Sequence, residues 1–256
     1  MKEFFGFGGY TREPEGFLSW QHLTFVTCLV AVMIALAVLL GVRNKKKTER
    51  EKNIPLIWAA ILIDAFEIFK IVLICVRESD PMRWLYDLPL FLCSIQLITI
   101  PLAAFTKGRL REASRDFVAI FGLLGAILGT YGAGNNYGAN PVLCFDNVVS
   151  GITHCISGFA ALYILIAGMA SMKRRNVWIT FSILGGFCVC AYVANRLLPY
   201  NYMFLMRGDG TPYDILFNLV GGHPVVYPLC VVALFVVYIT VFYLVHFLIG
   251  RCRKKA

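Results

Sequence analysis

The chain has 256 residues, of which 59% are apolar and 15% charged, and its formal net charge is +9. A soluble domain carries about a quarter charged residues and about half apolar ones. This composition therefore excludes a water-soluble globule, a disordered protein and a secreted disulfide scaffold. The basic residues stand between long apolar runs, as loop charges do in polytopic membrane proteins. The sequence predicts an all-α membrane bundle that forms a single transmembrane domain over residues 1–256.

Seven apolar stretches are long enough to cross a bilayer, which takes about 20 residues in a helix. Residues 1–17 are expected outside the membrane, before the first of these stretches. Residues 199–223 are too aromatic for a solvated loop, so we expect an external interfacial or re-entrant segment there. The predicted spans are 18–42, 54–76, 84–105, 115–134, 147–172, 177–198 and 224–250.

The lysines and arginines predict the orientation, because these residues collect in cytoplasmic loops. Most of the 24 lie in alternate connections, at 43–53, 106–115 and 173–175, and in the tail at 251–256. The N-terminus is therefore expected outside and the C-terminus in the cytoplasm. The basic tail is expected to bind anionic lipid, and no nucleic-acid partner is expected.

The second span carries Asp64, Glu67 and Lys70, spaced three apart and loosely on one helix face. A charged side chain in mid-membrane costs about 2.5–3.5 kcal/mol on insertion scales, so such residues are candidates for function. Lys70 can pair with Glu67 or Asp64, which reduces this cost. The cluster is therefore either an ion pair that holds helices together or part of a ligand site, or both.

A thiol and an imidazole are expected at nearly the same depth on different helices. Counting about nine residues into the third span and seven into the fifth, Cys93 and His154 lie about 13 and 10 Å deep. If they meet, the imidazole can take the thiol proton, whereas a cysteine in apolar surroundings is inert. Other polar residues expected in an outward-opening cavity, as candidates for substrate binding, are His22, Gln96, Asn147, Asn195, Arg196, Asn201, Tyr202 and His223.

Three stretches of sequence resemble the bacterial YwaF-like integral membrane family over about residues 50–248. Residues 88–93 read L-P-L-F-L-C, and residues 150–154 read S-G-I-T-H. Residues 201–205 read N-Y-M-F-L and are followed by Pro212 and by G-H-P at 222–224. The YwaF-like family is itself similar to a eukaryotic transmembrane family that acylates ether phospholipids with a membrane-embedded cysteine.

The resemblance implies that Cys93 is a nucleophile and His154 its base, in a bacterial plasma membrane with membrane lipids as partners. Two departures stand out. Phe91 occupies a position that is usually polar in the family, and the ending reads G-G-H-P instead of G-P-W-P. If the polar side chain supports catalysis, we expect either a weakened enzyme or its replacement by His223 or His22.

Three functional hypotheses follow. The first is an intramembrane acyl-transfer enzyme, a lipid acyltransferase or lipid ester hydrolase without cofactor or metal. In it Arg196 or Lys70 holds a lipid phosphate, and Asn147 or Asn195 donates a hydrogen bond to the oxyanion. The second is a non-catalytic receptor or transporter that binds a small polar or amphipathic ligand at Asp64, Glu67 and Lys70. The third is a structural scaffold, which predicts no polar cavity.

Overall fold

The computed structural model describes residues 2–255, with side chains described for residues 2–248. Helices make up 72% of the chain, and the described residues contain no strand. The predicted all-α class is therefore confirmed. The chain forms two compact units, residues 2–89 with 93–171 and residues 90–92 with 172–255.

The first unit is built around α4, which is buried on all sides over residues 113–122. α4 packs on α3 and α6, and α6 also packs on α1 and α2. A 3₁₀ turn at Arg83–Tyr86 follows α2. The helices of this unit are α1 (Trp20–Asn44), α2 (Glu49–Glu78), α3 (Gln96–Phe105), α4 (Gly108–Thr130), α5 (Gly134–Ala139) and α6 (Phe145–Ile166).

Local sequence signals account for where these helices begin and end. The Thr48 side chain accepts a hydrogen bond from the backbone N–H of Glu51, whose carboxylate accepts one from Thr48 in return, and this capping box starts α2. α6 stops at Ile166 because Gly168 turns the chain with a φ of +69°. The fifth predicted span, 147–172, is therefore too long at its end.

α4 and α6 approach closely because small residues line their contact, as is common between membrane helices. A Cβ at Gly122 would lie 2.9 Å from the backbone oxygen of Ser157. A Cβ at Gly158 would overlap Met33 and lie 2.7 Å from the Cβ of Ala126. Larger side chains at these positions would separate the helices that form the site described below.

The second unit contains three helices and an irregular connection. The helices are α7 (Val177–Leu197), α8 (Tyr213–Leu219) and α9 (Val226–Lys255). 3₁₀ turns lie at Arg174–Asn176 and Tyr202–Phe204, and the hydroxyl groups of Thr180 and Tyr243 join α7 to α9 at 3.1 Å. The predicted basic tail continues α9 as helix to residue 255, but its side chains lie outside the described ones.

Among the described residues, five helices are long and apolar enough to cross a membrane. They correspond to the first, fourth, fifth, sixth and seventh predicted spans. α2 covers the second predicted span and is about 45 Å long, but Asp64, Glu67 and Lys70 make its centre less apolar. The five helices are Trp20–Asn44, Gly108–Ala139, Phe145–Ile166, Arg174–Leu197 and Val226–Leu248.

The prediction of one continuous helix over 84–105 is wrong. Helix α3 covers only Gln96–Phe105, and residues 87–95 before it are irregular. Pro89 lacks a backbone N–H and disfavours helical geometry at Leu88, which explains the break. At about 15 Å, α3 is too short to cross a hydrocarbon core of about 30 Å. Cys93 therefore lies in a turn, and its depth cannot be counted along a helix.

Candidate functional site

A small cavity of about 60 Å³ lies in the first unit, between α2, α6 and the turn that precedes α3. Cys93, from that turn, and His154, from α6, both line it. The residues that the resemblance assigns as nucleophile and base therefore line the same space. The other polar residues of its wall are Glu67, Lys70, Ser94, Ser150, Thr153 and Ser157.

Two glycines of α4 make room for Cys93 and His154. A Cβ at Gly125 would lie 3.4 Å from the Cβ of Cys93, and a Cβ at Gly129 would overlap the imidazole ring of His154. Residues four apart on a helix have Cβ positions about 5–6 Å from each other on one face. Cys93 and His154 therefore lie against neighbouring turns of the same face of α4.

The thiol and the imidazole are both free of strong competing partners. Within the described part of the chain, the His154 ring forms no hydrogen bond with another protein group, and its nitrogens lie next to Gly129 of α4. The Sγ of Cys93 lies 4.0 Å from the Oγ of Ser94, the residue that follows it. Both groups line the small cavity, and proton transfer between them stays a prediction.

A half-buried ion pair stands beside these two groups. The Nζ of Lys70 lies 2.5 Å from the Oε1 of Glu67, and the two side chains are 16% and 12% exposed. Glu67 is thus the partner of Lys70. Asp64 lines neither this cavity nor the larger one next to it.

A larger cavity of about 560 Å³, here called the vestibule, adjoins the small one. Lys70 and Ser150 line both. The vestibule also holds two ion pairs, Arg77 with Asp146 at 2.9 Å and Arg83 with Asp87 at 3.3 Å. A scaffold without a polar cavity was the third hypothesis, and these two polar cavities contradict it.

The N-terminal segment forms one wall of the vestibule through Gly6, Gly9 and Tyr10. The Nη1 of Arg77 donates hydrogen bonds to the backbone oxygen of Phe5 at 3.3 Å and to the hydroxyl of Tyr10 at 3.2 Å. Burial and the nearby Asp146 carboxylate raise the pKa of the Tyr10 phenol above its ordinary value. Tyr10 therefore stays neutral, and the segment is held against the cavity.

Besides Asp64, two predicted site residues in the first unit line neither cavity. The Nε2 of His22 is 3.0 Å from the backbone oxygen of Thr130, and its ring packs on Tyr137 at 4.0 Å between centroids. Gln96 is fully buried, and its Oε1 accepts a hydrogen bond from Thr99 at 3.1 Å. Both side chains hold helices and loops in place.

Asn147 does line the vestibule, but its amide is used within the fold. Its Nδ2 donates to the backbone oxygens of Asn136, Asn140 and Pro141 at 3.4, 3.3 and 3.0 Å. These bonds hold the connection between α5 and α6. The expected donation from Asn147 to an oxyanion is therefore in competition with three backbone carbonyl groups.

In the second unit, three predicted site residues shape the loop after α7. Asn195 and Tyr202 exchange hydrogen bonds, with Nδ2 to backbone oxygen at 2.9 Å and backbone N–H to Oδ1 at 2.6 Å. The Oδ1 of Asn201 accepts from the backbone N–H of Met206 at 2.9 Å, and its Nδ2 donates to the backbone oxygen of Arg207 at 2.7 Å. Their expected contribution to substrate binding stays a prediction.

The remaining predicted residues of the second unit are Arg196 and His223. Arg196 is exposed at the end of α7. The Nδ1 of His223 accepts hydrogen bonds from the backbone N–H groups of Val225 and Val226, both at 3.3 Å, where α9 begins. His223 therefore caps a helix, and its replacement of a catalytic polar residue stays a prediction.

Phe91, which replaces a usually polar residue, lies in an aromatic cluster of the second unit. Its ring centroid is 6.0, 5.3 and 5.7 Å from those of Tyr200, Tyr202 and Phe204. Met203 and Phe204 adopt positive φ angles of 54°, a strained conformation for large side chains. The loop is therefore shaped to place its rings around Phe91.

Sequence reasoning gave no function to several residues that line the cavities. Ser150 and Ser157 were detectable, because they stand four before and three after His154 and so share its helix face. No local signal pointed to the pairing of Arg77 with Asp146, since 69 residues separate them. Only the packing of α2 beside α6 brings those two together.

A model of the TMEM164 family matches residues 17–245. No curated protein and no solved structure matches the chain. The matched range includes both cavities except for the part of the vestibule wall contributed by Gly6, Gly9 and Tyr10. It also covers most of the chain, and all five apolar helices except the end of the last one lie within it. The chain belongs to the TMEM164 family.

Proposed function

We propose that the chain is an intramembrane acyl-transfer enzyme, a lipid acyltransferase or lipid ester hydrolase, in which Cys93 is the nucleophile and His154 the base. The observation that carries this proposal is the small cavity that both residues line. The likeness of residues 88–93 and 201–205 to the YwaF-like proteins, and through them to cysteine acyltransferases of ether phospholipids, supports the same reaction.

The chemistry needs no cofactor. His154 takes the thiol proton, and the Cys93 sulfur attacks the carbonyl carbon of a lipid ester. The ester C–O bond then breaks, and His154 returns the proton to the departing alcohol. The acyl group is left as a thioester on Cys93. The hydroxyl group of a second lipid, or water, attacks this thioester with His154 again as base, and the free thiol is restored.

The sizes of the two cavities support a division of the substrate between them. The small cavity has room for about two water molecules, which suits a reacting ester group but not a whole lipid. The vestibule suits a polar headgroup, and Lys70, at the boundary, is placed to attract a phosphate. The loops that line the vestibule are expected outside the membrane, which supports entry of the lipid from the outer leaflet of a bacterial plasma membrane.

Purified protein in phospholipid nanodiscs, supplied with a lyso-ether phospholipid, tests the proposal by mass spectrometry of acylated product. Cys93→Ser is expected to lower turnover at least 10²-fold, and His154→Gln to lower it by about 10²–10⁴-fold, the usual contribution of a general base. Cys155→Ser changes a buried cysteine that lines neither cavity and is the control. Wild-type turnover in Cys93→Ser would contradict the proposal.

A second candidate function, ligand binding without catalysis, is favoured by the Glu67–Lys70 pair, which stands beside both cavities. A receptor or transporter would use this pair to hold a polar or amphipathic ligand, and Cys93 would be packing. Glu67→Gln should then weaken binding of fluorescent lysophospholipid while Cys93→Ser leaves it unchanged. The acyl-transfer proposal predicts the larger loss of turnover from Cys93→Ser.

A further inference from the structure

The acyl-transfer reaction needs a hydrogen-bond donor that neither expected residue supplies freely. When the sulfur attacks, the carbonyl oxygen becomes negative and must be stabilised by a donor in the cavity. The Nδ2 of Asn147 already donates to backbone oxygens at 3.0–3.4 Å. The Nδ2 of Asn195, in the second unit, donates to the backbone oxygen of Tyr202 at 2.9 Å.

Three of the four serine and threonine hydroxyl groups that line the small cavity differ in their partners. The Oγ1 of Thr153 donates to the backbone oxygen of Ser150 at 3.0 Å, and the Oγ of Ser157 donates to the backbone oxygen of Gly122 at 3.4 Å. The Oγ of Ser94 instead lies 4.0 Å from the Sγ of Cys93. Ser94 thus has a hydroxyl group beside the reacting sulfur and, among the described residues, no hydrogen bond to a helix carbonyl.

The distance from Ser94 to the sulfur suits an oxyanion donor. An oxygen on the attacked carbon lies within about 3 Å of the sulfur, and its donors lie about 2.7–3.1 Å from it. A hydroxyl oxygen about 4 Å from the sulfur can therefore lie within hydrogen-bond distance of the oxyanion. Ser94 also lines the same cavity as His154, so donor, nucleophile and base surround one space.

We propose that Ser94 is a catalytic residue that donates a hydrogen bond from its hydroxyl to the oxyanion; this inference rests on the proposed acyl transfer. As the S–C bond forms, the C=O π pair moves to the oxygen and is stabilised there by Ser94. When that pair re-forms the C=O bond, the C–O bond to the leaving alcohol breaks, and the alcohol takes the proton held by His154. Ser94 keeps its own proton throughout.

Two probes that react with the same sulfur separate this function from a structural one. Iodoacetamide alkylates a thiol without forming an oxyanion, whereas a p-nitrophenyl ester acylates it through one. Labelling of the Cys93 peptide is followed by mass spectrometry in the full-length protein. Ser94→Ala is expected to keep its alkylation rate within about twofold and to lose acylation by about 10²–10³-fold, the loss typical of a missing oxyanion donor.

Two further variants and a kinetic measurement make the result specific. Ser94→Thr keeps a hydroxyl and should recover most of the acylation rate. Ser182→Ala removes a hydroxyl group of α7 that lines neither cavity and should acylate like the wild type. In lipid turnover, Ser94→Ala should lower kcat while KM stays within about twofold, because the donor acts in the transition state.

The inference on Ser94 is overturned if Ser94→Ala acylates at the wild-type rate. It is also overturned if alkylation and acylation fall together, because Ser94 would then control the reactivity of the thiol and not the oxyanion. The acyl-transfer proposal has its own control, Cys93→Ala. Undiminished acylation of Cys93→Ala protein would contradict that proposal, whereas loss of acylation there combined with a normal Ser94→Ala rate contradicts the Ser94 inference alone.

Discussion

His154 keeps its place in the cavity because residue 129 carries no side chain. A Cβ at Gly129 would overlap the imidazole, whereas a Cβ at Gly125 would make an ordinary contact of 3.4 Å with Cys93. Gly129→Ala should therefore displace the imidazole and lower acyl transfer by about 10²–10⁴-fold, as expected when a general base is lost. Lipid turnover in nanodiscs, with iodoacetamide labelling to show that Cys93 is intact, measures this effect.

The neighbouring variant Gly125→Ala is the control for that experiment. Both substitutions replace glycine by alanine inside α4 and raise its helix propensity by about 1 kcal/mol. A change in activity that both variants show is thus caused by the helix, and the difference in activity between them is caused by the displacement of His154. Equal activities in Gly129→Ala and Gly125→Ala would contradict the assignment of His154 as base.

At the scale of elements, α4 is joined to α2 by a buried cation. Arg115 is only 5% exposed; its Nη1 donates to Glu49 at 3.0 Å and its Nη2 donates to Asn53 at 3.1 Å. Asn53 in turn donates to the backbone oxygen of Ala104 in α3 at 2.6 Å. Sequence analysis placed Arg115 at a loop boundary, but α4 begins at Gly108, so this arginine lies within the helix.

Arg115→Gln is expected to destabilise the first unit, because it removes two hydrogen bonds from a charged donor. A hydrogen bond to a charged group contributes about 1.5–3 kcal/mol to stability. Because Glu49 is exposed, we expect a total loss of about 1–3 kcal/mol in the free energy of unfolding. Thermal unfolding in detergent should show a lower Tm. Lys107→Gln removes the same charge from an exposed position and should leave the Tm unchanged; an equal Tm for the two variants would contradict the proposed bridge.

At the scale of the whole molecule, the basic residues predict which side of the membrane each loop faces. The cavities open among segments expected outside, whereas the connection at 43–53 is rich in lysine and arginine and is expected inside. This orientation determines which lipid leaflet supplies the substrate. It also decides whether a soluble cytoplasmic molecule can reach Cys93.

A cysteine placed in each of two exposed loops measures the orientation. In intact cells, a membrane-impermeant maleimide should label Asn135→Cys and should leave Lys46→Cys at the level of the parent protein. After permeabilisation, both should react, because both positions are exposed to solvent. Labelling of Lys46→Cys before permeabilisation, with Asn135→Cys protected, would reverse the predicted orientation and the leaflet that supplies the lipid.

The helical class and five apolar helices could be predicted from the sequence because hydropathy is a local property. About 20 successive apolar residues specify a membrane helix whatever their neighbours are. The same reading also singled out Cys93, His154, Glu67 and Lys70, since polar groups in apolar surroundings are conspicuous. It failed at 84–105, where apolar composition suggested a span but Pro89 and its neighbours leave an irregular turn.

Only the tertiary structure decided which of these polar residues share a space. Cys93 and His154 are 61 residues apart, and no local pattern states that α4 places Gly125 and Gly129 against them. The sequence also suggested that Asn147 is a free hydrogen-bond donor, whereas in the fold its amide donates to three backbone oxygens. Local sequence determined the helices of this protein because their hydrogen bonds are local, whereas its site depends on helix packing, which joins distant residues.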